Sequence, residues 1–525
     1  MSGAAQRIEA VFRANSGRDF LLEPGKPALT YAAFEDRCLR VAGMFQKLGI
    51  PRGARVGTLL PNSGEYAALF FGALYAGVTM VPINHALSPP EISFLAGASG
   101  IDILVYAEQT KHLLEGGTTK PPYKRVCFVQ NQGAQSEDAA GPGVVTLKSF
   151  AEFEPAPARS WADAVQDDQT IALVFTSGTT SRPKGIKHRA RSYIEAASAF
   201  NDGMGFDPGN RFINLWPMAY NTGWLNSLLC PFLCQGSVVI APVFDAKSAL
   251  AFWPNIIEHK ANTAWLSPSL LTTLNRVDRD PRGPQYCREV GFVVCTGTAP
   301  VPIKVKTEFE QKYGVEAFES YGVSEVLFVS MNMPRHTRCP GAAGRVIPGI
   351  DIAIVNDAGA ALKTGEEGEI IIRSPWFMKG YHDFDDPNAP SHNPMDPFAS
   401  GDIGKLDAEG NLYITGRKKD LIIRGGLNLS PRAIEDVIAE HPGVEAVAVV
   451  GIPHEVFGEE VVAALQMKAG FALENERAAI LALCRGKLSS TAVPTKLVAF
   501  AKLPQGATGK ILKREIRAEL TKAAS

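Results

Sequence analysis

The run Thr176-Ser177-Gly178-Thr179-Thr180-Ser181-Arg182-Pro183-Lys184-Gly185 gathers hydroxyls, glycine-freed backbone amides and a lysine directly behind the apolar stretch at 171–175. Those are the groups a loop needs to surround a polyphosphate. The spacing is not that of a Walker A loop. Counted from Gly178, that motif wants glycine where Pro183 stands and Ser or Thr where Gly185 stands. The bland alternative for the run is a Ser/Thr/Gly turn between two elements. Other chemically able residues are far from it in the chain: Glu325, Asp402 after Gly401, Arg417 after Gly416, and Lys510 after Gly509. Taken singly, each is a turn residue or a solvated charge.

The elements that must position these residues come from a chain of 525 residues, 46% hydrophobic and 20% charged. At about 150 residues per domain that length suggests about three to four units, a count that large α/β domains lower. The composition supports a sizeable core and excludes a disordered chain or a minimal disulfide scaffold. Basic and acidic residues number 53 and 54, a net charge of −1, which argues against a nucleic-acid partner held by bulk charge. Eight cysteines are scattered along the chain, and only Cys230 and Cys234 are close, with no histidine beside them to complete a zinc set. They read as buried thiols of a reducing, cytoplasmic compartment. The N-terminal segment lacks the apolar run of a secretory signal. The uncharged stretch from Tyr66 to Ile83 is broken by Gly77 and Pro82, so it reads as a core helix and strand and not as a membrane span.

Strand-like runs at 55–60, 78–83, 101–107, 171–175, 237–243, 263–267 and 289–295 alternate with helical ones, which predicts α/β architecture with largely parallel sheets. After about residue 345 the alternation in Glu369–Arg373 predicts β-rich structure, and the Asp-, Asn-, Pro- and His-rich stretch 381–397 reads as a surface loop. A boundary falls near Arg417-Lys418-Lys419-Asp420. Beyond it Ser430 caps a helix with Pro431 in its first turn and an apolar stripe of Ile434, Val437 and Ile438. Pro442-Gly443 ends that helix, and a strand follows. The expected fold is a large N-terminal body of stacked, mostly parallel sheets with helices and a β-rich subdomain, residues 1–418, followed by a small C-terminal α+β cap, residues 419–525.

Read in order, the run at 176–185 is followed by Gly297-Thr298-Ala299-Pro300, Tyr321-Gly322-Val323-Ser324-Glu325, Gly368-Glu369, Ser400-Gly401-Asp402, Gly416-Arg417-Lys418-Lys419-Asp420 and Pro504-Gln505-Gly506-Ala507-Thr508-Gly509-Lys510. This series resembles the signature of the adenylate-forming superfamily, which includes acyl-CoA synthetases, peptide-synthetase adenylation domains and luciferases. The resemblance runs from about residue 30 to the C-terminus. It implies that Thr176, Ser177, Gly178, Thr179, Thr180 and Lys184 hold the phosphates of ATP, and that Gly297 to Pro300 and Ser320 to Gly322 enclose the nucleotide, with Tyr321 offering a stacking face for adenine. By the same resemblance Ser324 bonds the α-phosphate, Glu325 offers hard oxygen to Mg²⁺, and Asp402 and Arg417 take the ribose. Lys510 is implied to reach the attacking carboxylate and the α-phosphate. Lys419 is the implied hinge of a mobile cap that brings Arg424, Gly425 and Gly426 to a CoA channel in its second pose.

The chain departs from that pattern in places. Ser181 replaces a glycine, and Gln505, Gly506 and Thr508 replace lysine, threonine and serine around a retained Lys510. In Pro217–Gly223 an aromatic-histidine pair is usual where Ala219 and Tyr220 stand; Tyr220 either closes over the acyl site, with Asn221 and Gly223 beside it, or packs. Trp216 and Trp224 read as core. The reading is an ATP-dependent carboxylate–CoA ligase using ATP, Mg²⁺ and CoA, with no nucleic-acid partner, no membrane span and no assigned oligomeric state. Transfer to a carrier-protein thiol or an amine is the alternative, and a silent nucleotide-binding scaffold the more distant one.

Overall fold

The computed structural model describes residues 3–114, 123–128, 144–157, 159–176, 183–244, 248–299, 301–383, 392–506 and 511–524. Two large sheets form the body. One runs Gly380–His382, Lys184–Arg189, Thr170–Thr176, Thr79–Pro82, Arg55–Leu59, Ile103–Ala107, Lys124–Phe128, Val144–Leu147. It is parallel from Thr170–Thr176 outward to Val144–Leu147 and antiparallel at its other edge. The other sheet has a parallel centre, ordered Ala317–Val323, Val293–Thr296, Thr263–Leu266, Arg211–Asn214, Ser237–Ile240 and Asp19–Leu22. The seven strand-like runs expected before residue 300 each contribute a strand to these two sheets. The last does so only from Val293, because its first residues complete the helix Arg282–Val290. The alternation of helix and strand accounts for the parallel order.

The uncharged stretch that imitates a membrane span is the buried helix Gly64–Ala76 followed by the strand Thr79–Pro82. Ser63 caps the helix by accepting from the Tyr66 amide, and Gly77 closes it at φ 73°. A side chain at Gly72 would stand 2.4 Å from Val41 Cβ, so this glycine lets the helix lie against its neighbour Tyr31–Lys47. Among the described residues no helix is long and apolar enough to cross a membrane. Seven of the eight cysteines are buried.

After residue 345 the chain forms a four-stranded antiparallel sheet: Asp351–Val355, Gly368–Arg373, Phe398–Leu406 and Leu412–Arg417. The stretch expected to be a surface loop is not wholly one. Tyr381 and His382 belong to the strand Gly380–His382, which pairs with Lys184–Arg189, because Met378 and Phe377 anchor the preceding segment in a small core with Ile186 and Ile370. Residues 418–420 form one tight turn, and a separate sheet follows, built on Val444–His454 and Gly458–Met467. Its helix Pro431–Ala439 is capped by Ser430 and buries Ile434 and Ile438, as the spacing predicts. The helix and the strand after it both touch the body: Arg432 Nη1 donates to the Ile414 carbonyl at 2.6 Å, and Arg276 pairs with Glu445 at the start of Val444–His454.

Candidate active site

The two strands that flank the phosphate run pair antiparallel, with Thr176 opposite Lys184. Ser177, Gly178, Thr179 and Thr180 lie outside the described residues. Lys184 is exposed, and its ammonium sits 5.2 Å over the Tyr381 ring. The Tyr381 hydroxyl donates to Glu325 Oε1 at 2.9 Å, and the Met378 amide donates to the Glu325 carbonyl at 2.8 Å. Burial, and then the Glu325 carboxylate, push the Tyr381 phenol above its ordinary range, so it remains a donor. Ser324 is positioned through its backbone: His188 Nε2 donates to its carbonyl at 2.8 Å. His188 is fully buried, and burial lowers its pKa to about 4, so the imidazole is neutral with its proton on Nε2.

Ser320, Tyr321 and Gly322 lie toward the end of the strand Ala317–Val323. Gly297, Thr298 and Ala299 leave the end of the parallel neighbour Val293–Thr296, at the same carboxyl edge of the sheet. That edge is where open α/β sheets receive ligands. Two glycines are demanded by close approach. A Cβ on Gly297 would stand 2.8 Å from the Ser320 carbonyl oxygen, and one on Gly322 would stand 2.0 Å from that of Leu327, across the bulge between Tyr321 and Gly322. Thr298 adopts φ 71°, a left-handed conformation that costs a threonine energy. Pro300 lies outside the described residues.

The Tyr321 hydroxyl donates to Asp402 Oδ2 at 2.7 Å, and Arg417 Nε stands 3.0 Å from Asp402 Oδ1. Asp402 and Arg417 are opposite each other on paired strands, and Asp402 is 3% exposed. Burial, and then Asp402, push the Tyr321 phenol up. Lys419, the expected hinge, has its ammonium pulled below the ordinary range by burial and then by Arg417, while Asp420 and Asp402 oppose that shift. It therefore stands within electrostatic reach of the Asp402 cluster. Its neighbour Lys418 pairs with Glu369 at 2.8 Å.

On the expected acyl side, the Tyr220 hydroxyl accepts from the buried Asn84 at 2.8 Å, and Asn221 Oδ1 accepts from the Tyr193 hydroxyl at 2.9 Å. Gly223 lies in a π-helix, Thr222–Leu229, where a Cβ would stand 2.3 Å from the Pro217 carbonyl oxygen. This glycine shapes the wall by letting backbone pack on backbone. Trp216 and Trp224 are core, as expected. In the C-terminal sheet Gly425 and Gly426 take φ 58° and 80° in a hairpin turn. Arg424 bonds the Thr491 carbonyl at 2.6 Å and lies 5.5 Å from the Phe457 ring centre, both within the C-terminal unit. Lys510 lies outside the described residues.

Sequence reasoning missed Tyr381, His188 and Tyr193. Tyr381 was hidden in a stretch with loop composition. His188 lies 136 residues from Ser324, and no local pattern links the two.

Residues 9–382 match the AMP-binding enzyme family, and residues 433–510 match the AMP-binding enzyme C-terminal domain. The chain belongs to the AMP-binding enzyme family. It is thus a member of the adenylate-forming superfamily, and among its relatives is a long-chain-fatty-acid–CoA ligase of Mycobacterium tuberculosis. The two are 31% identical over 498 residues, 93% of this chain and 92% of that protein. ATP-bound MatB from Rhodopseudomonas palustris superposes with a TM-score of 0.85 at 25% identity, covering 100% of both chains. An amide bond synthetase from Marinactinospora thermotolerans superposes at 0.82 with 25% identity, over 99% of this chain and 100% of that one. Both solved structures share this chain's fold over essentially its whole length.

Proposed function

We propose that this AMP-binding enzyme is an ATP-dependent carboxylate–CoA ligase. A carboxylate oxygen attacks the α-phosphorus of ATP as the bond to pyrophosphate breaks, giving acyl-AMP and pyrophosphate. The CoA sulfur then attacks the acyl carbon, and AMP leaves as the thioester forms. The observation that carries this reading is the joined cluster Tyr321–Asp402–Arg417, which shares a strand-and-turn segment with Ser324 and Glu325, themselves tied through Tyr381 and His188 to the strand that follows the phosphate run. A nucleoside end and a phosphate end thereby meet at one site.

A carboxylate is already ionised at pH 7, so the first step needs no general base. Positioning and stabilisation of charge on the transferring phosphoryl group supply the catalysis. Lys184 and the amides of the phosphate run hold the phosphates, Ser324 bonds the α-phosphate, and Asp402 and Arg417 orient the ribose. Lys510 supplies the cation between attacking carboxylate and α-phosphate. Magnesium fits the donor set present. Glu325 spends one oxygen on Tyr381, its other oxygen has no protein partner among the described residues, and a metal carried mainly by phosphates needs only one or two carboxylates. Bound there, it would neutralise phosphate charge. Residues 1–418 form the adenylating body and 419–525 the cap, which turns about Lys419 to bring Arg424, Gly425 and Gly426 to the CoA route. The cytoplasm, with its reduced thiols, is the compartment this reading assigns.

The ligase names of the sequence relatives favour CoA as acceptor, while the likeness to an amide bond synthetase favours an amine as the second reading. Pyrophosphate release across a carboxylate panel, with CoA, an amine or no acceptor, tests both. The expected result is acid-dependent release with thioester formed only when CoA is present. Amide formed in preference to thioester would replace the first reading with the second, and no release with any acid would sink both.

A further inference from the structure

The helix Thr222–Leu229 is a π-helix, with the Cys230 amide donating to the Leu225 carbonyl five residues back. Such turns are uncommon and recur at functional sites. Its sequence TGWLNSLL carries no charge and four polar-tipped side chains: Thr222, Trp224, Asn226 and Ser227. None of the four has a side-chain hydrogen-bond partner among the described residues; Trp224 Nε1 and Ser227 Oγ are sealed from solvent, while Thr222 and Asn226 retain 8% and 7% of their surface. The Thr222 hydroxyl and the Asn226 amide are not among the sealed atoms, so each stays open to a partner from outside the helix.

The helix is tied to the reacting end of the site. Asn221, just before it, accepts from Tyr193; the Tyr193 ring packs edge-on against His188 at 4.9 Å; and His188 holds the Ser324 carbonyl. The ligase reading puts the carboxylate at the Ser324 end, and this chain of contacts then leads the rest of the acid toward the π-helix. Residues about four apart fall on one side of this wide turn, which groups Thr222 with Asn226.

We propose that Asn226 and Thr222 select an acid bearing a neutral hydrogen-bonding group, a hydroxyl, keto or amide, beyond its carboxylate. This rests on the ligase reading above. An alkyl acid leaves the two side chains unpaired, and an acid with a second charge would bury that charge against a helix with none to match it.

The test measures kcat/KM by pyrophosphate release for ω-hydroxyhexanoate against heptanoate and adipate, and for para-hydroxybenzoate against para-methylbenzoate and terephthalate. In at least one series the hydroxy acid is expected to lead both rivals by roughly a hundredfold, as sites built to pair a hydroxyl discriminate strongly. Asn226→Leu and Thr222→Val are each expected to bring that ratio toward one, and Asn226→Leu to melt no lower than the parent. A lead for the alkyl or dianionic acid, a ratio unmoved by both substitutions, or a lower melting temperature for Asn226→Leu would overturn the proposal, the last by showing that internal water already satisfies the amide. Pyrophosphate release with no polar preference sinks this inference alone, whereas no release with any acid sinks the ligase reading and this inference together.

Discussion

Asp402 meets Tyr321 with one carboxylate oxygen and Arg417 with the other, and Glu325 meets Tyr381, whereas Thr222 and Asn226 on the acyl side are buried with no side-chain partner among the described residues. The side proposed for the nucleotide is held by the protein's own hydrogen bonds. The side proposed for the acid keeps polar groups in reserve. Pre-pairing lowers the ordering cost of a ligand that every turnover must bind, while unpaired groups sharpen choice, because a wrong ligand leaves them unsatisfied.

The largest effect is expected at Lys510, the cation proposed to stand between the attacking carboxylate and the α-phosphate. Lys510→Ala should slow acyl-AMP formation by roughly a thousandfold yet spare thioester formation from supplied acyl-AMP. Equal loss in both half-reactions, followed by quenched-flow product analysis, would remove Lys510 from its adenylating role.

His188 joins the two sides, touching Ser324 and Tyr193, and its pKa of about 4 makes that joint sensitive to acid. Unfolded, the imidazole titrates near its ordinary value of 6.5. Between these two values the unfolded chain binds the extra proton, so stability falls as pH drops from about 6.5 to about 4, by about 3 kcal/mol at most. Urea unfolding across that range should show a slope that His188→Gln flattens; an unchanged slope would mean that other groups dominate the acid limb.

Asp402→Ala strips the nucleotide side of its shared acceptor. It should lower kcat/KM for ATP by roughly a hundredfold and leave the preference among acids unchanged. A shift in acid preference would show that the two sides are not separable. Smallest is the turn between body and cap: Lys419→Pro should slow thioester formation by roughly tenfold and let acyl-AMP accumulate. Loss confined to adenylation would instead tie Lys419 to the nucleotide, consistent with its place near Asp402.

Much of this organisation is legible in the chain. The order of the motifs carries the superfamily, the alternation of helical and extended runs carries the parallel sheets, and Ser430-Pro431 marks the start of a helix where one begins. What escapes is non-local. Tyr381 sits in a segment of loop composition, and it becomes a strand residue only because Lys184–Arg189 offers it an edge to pair with. The π-helix was equally hidden, since an apolar run with a few polar residues does not distinguish four-residue from five-residue hydrogen bonding.

The amino-acid sequence by itself thus determined the family, the kinds of group available and their order, because close-range needs such as glycine-freed amides and capping hydroxyls are written in adjacent residues. Only the tertiary structure decided which groups meet. The pairing of Tyr321 with Asp402 spans 81 residues and that of Tyr381 with Glu325 spans 56. Such contacts depend on how sheets stack and strands register, and that is set by burial of the whole core and not by any local pattern.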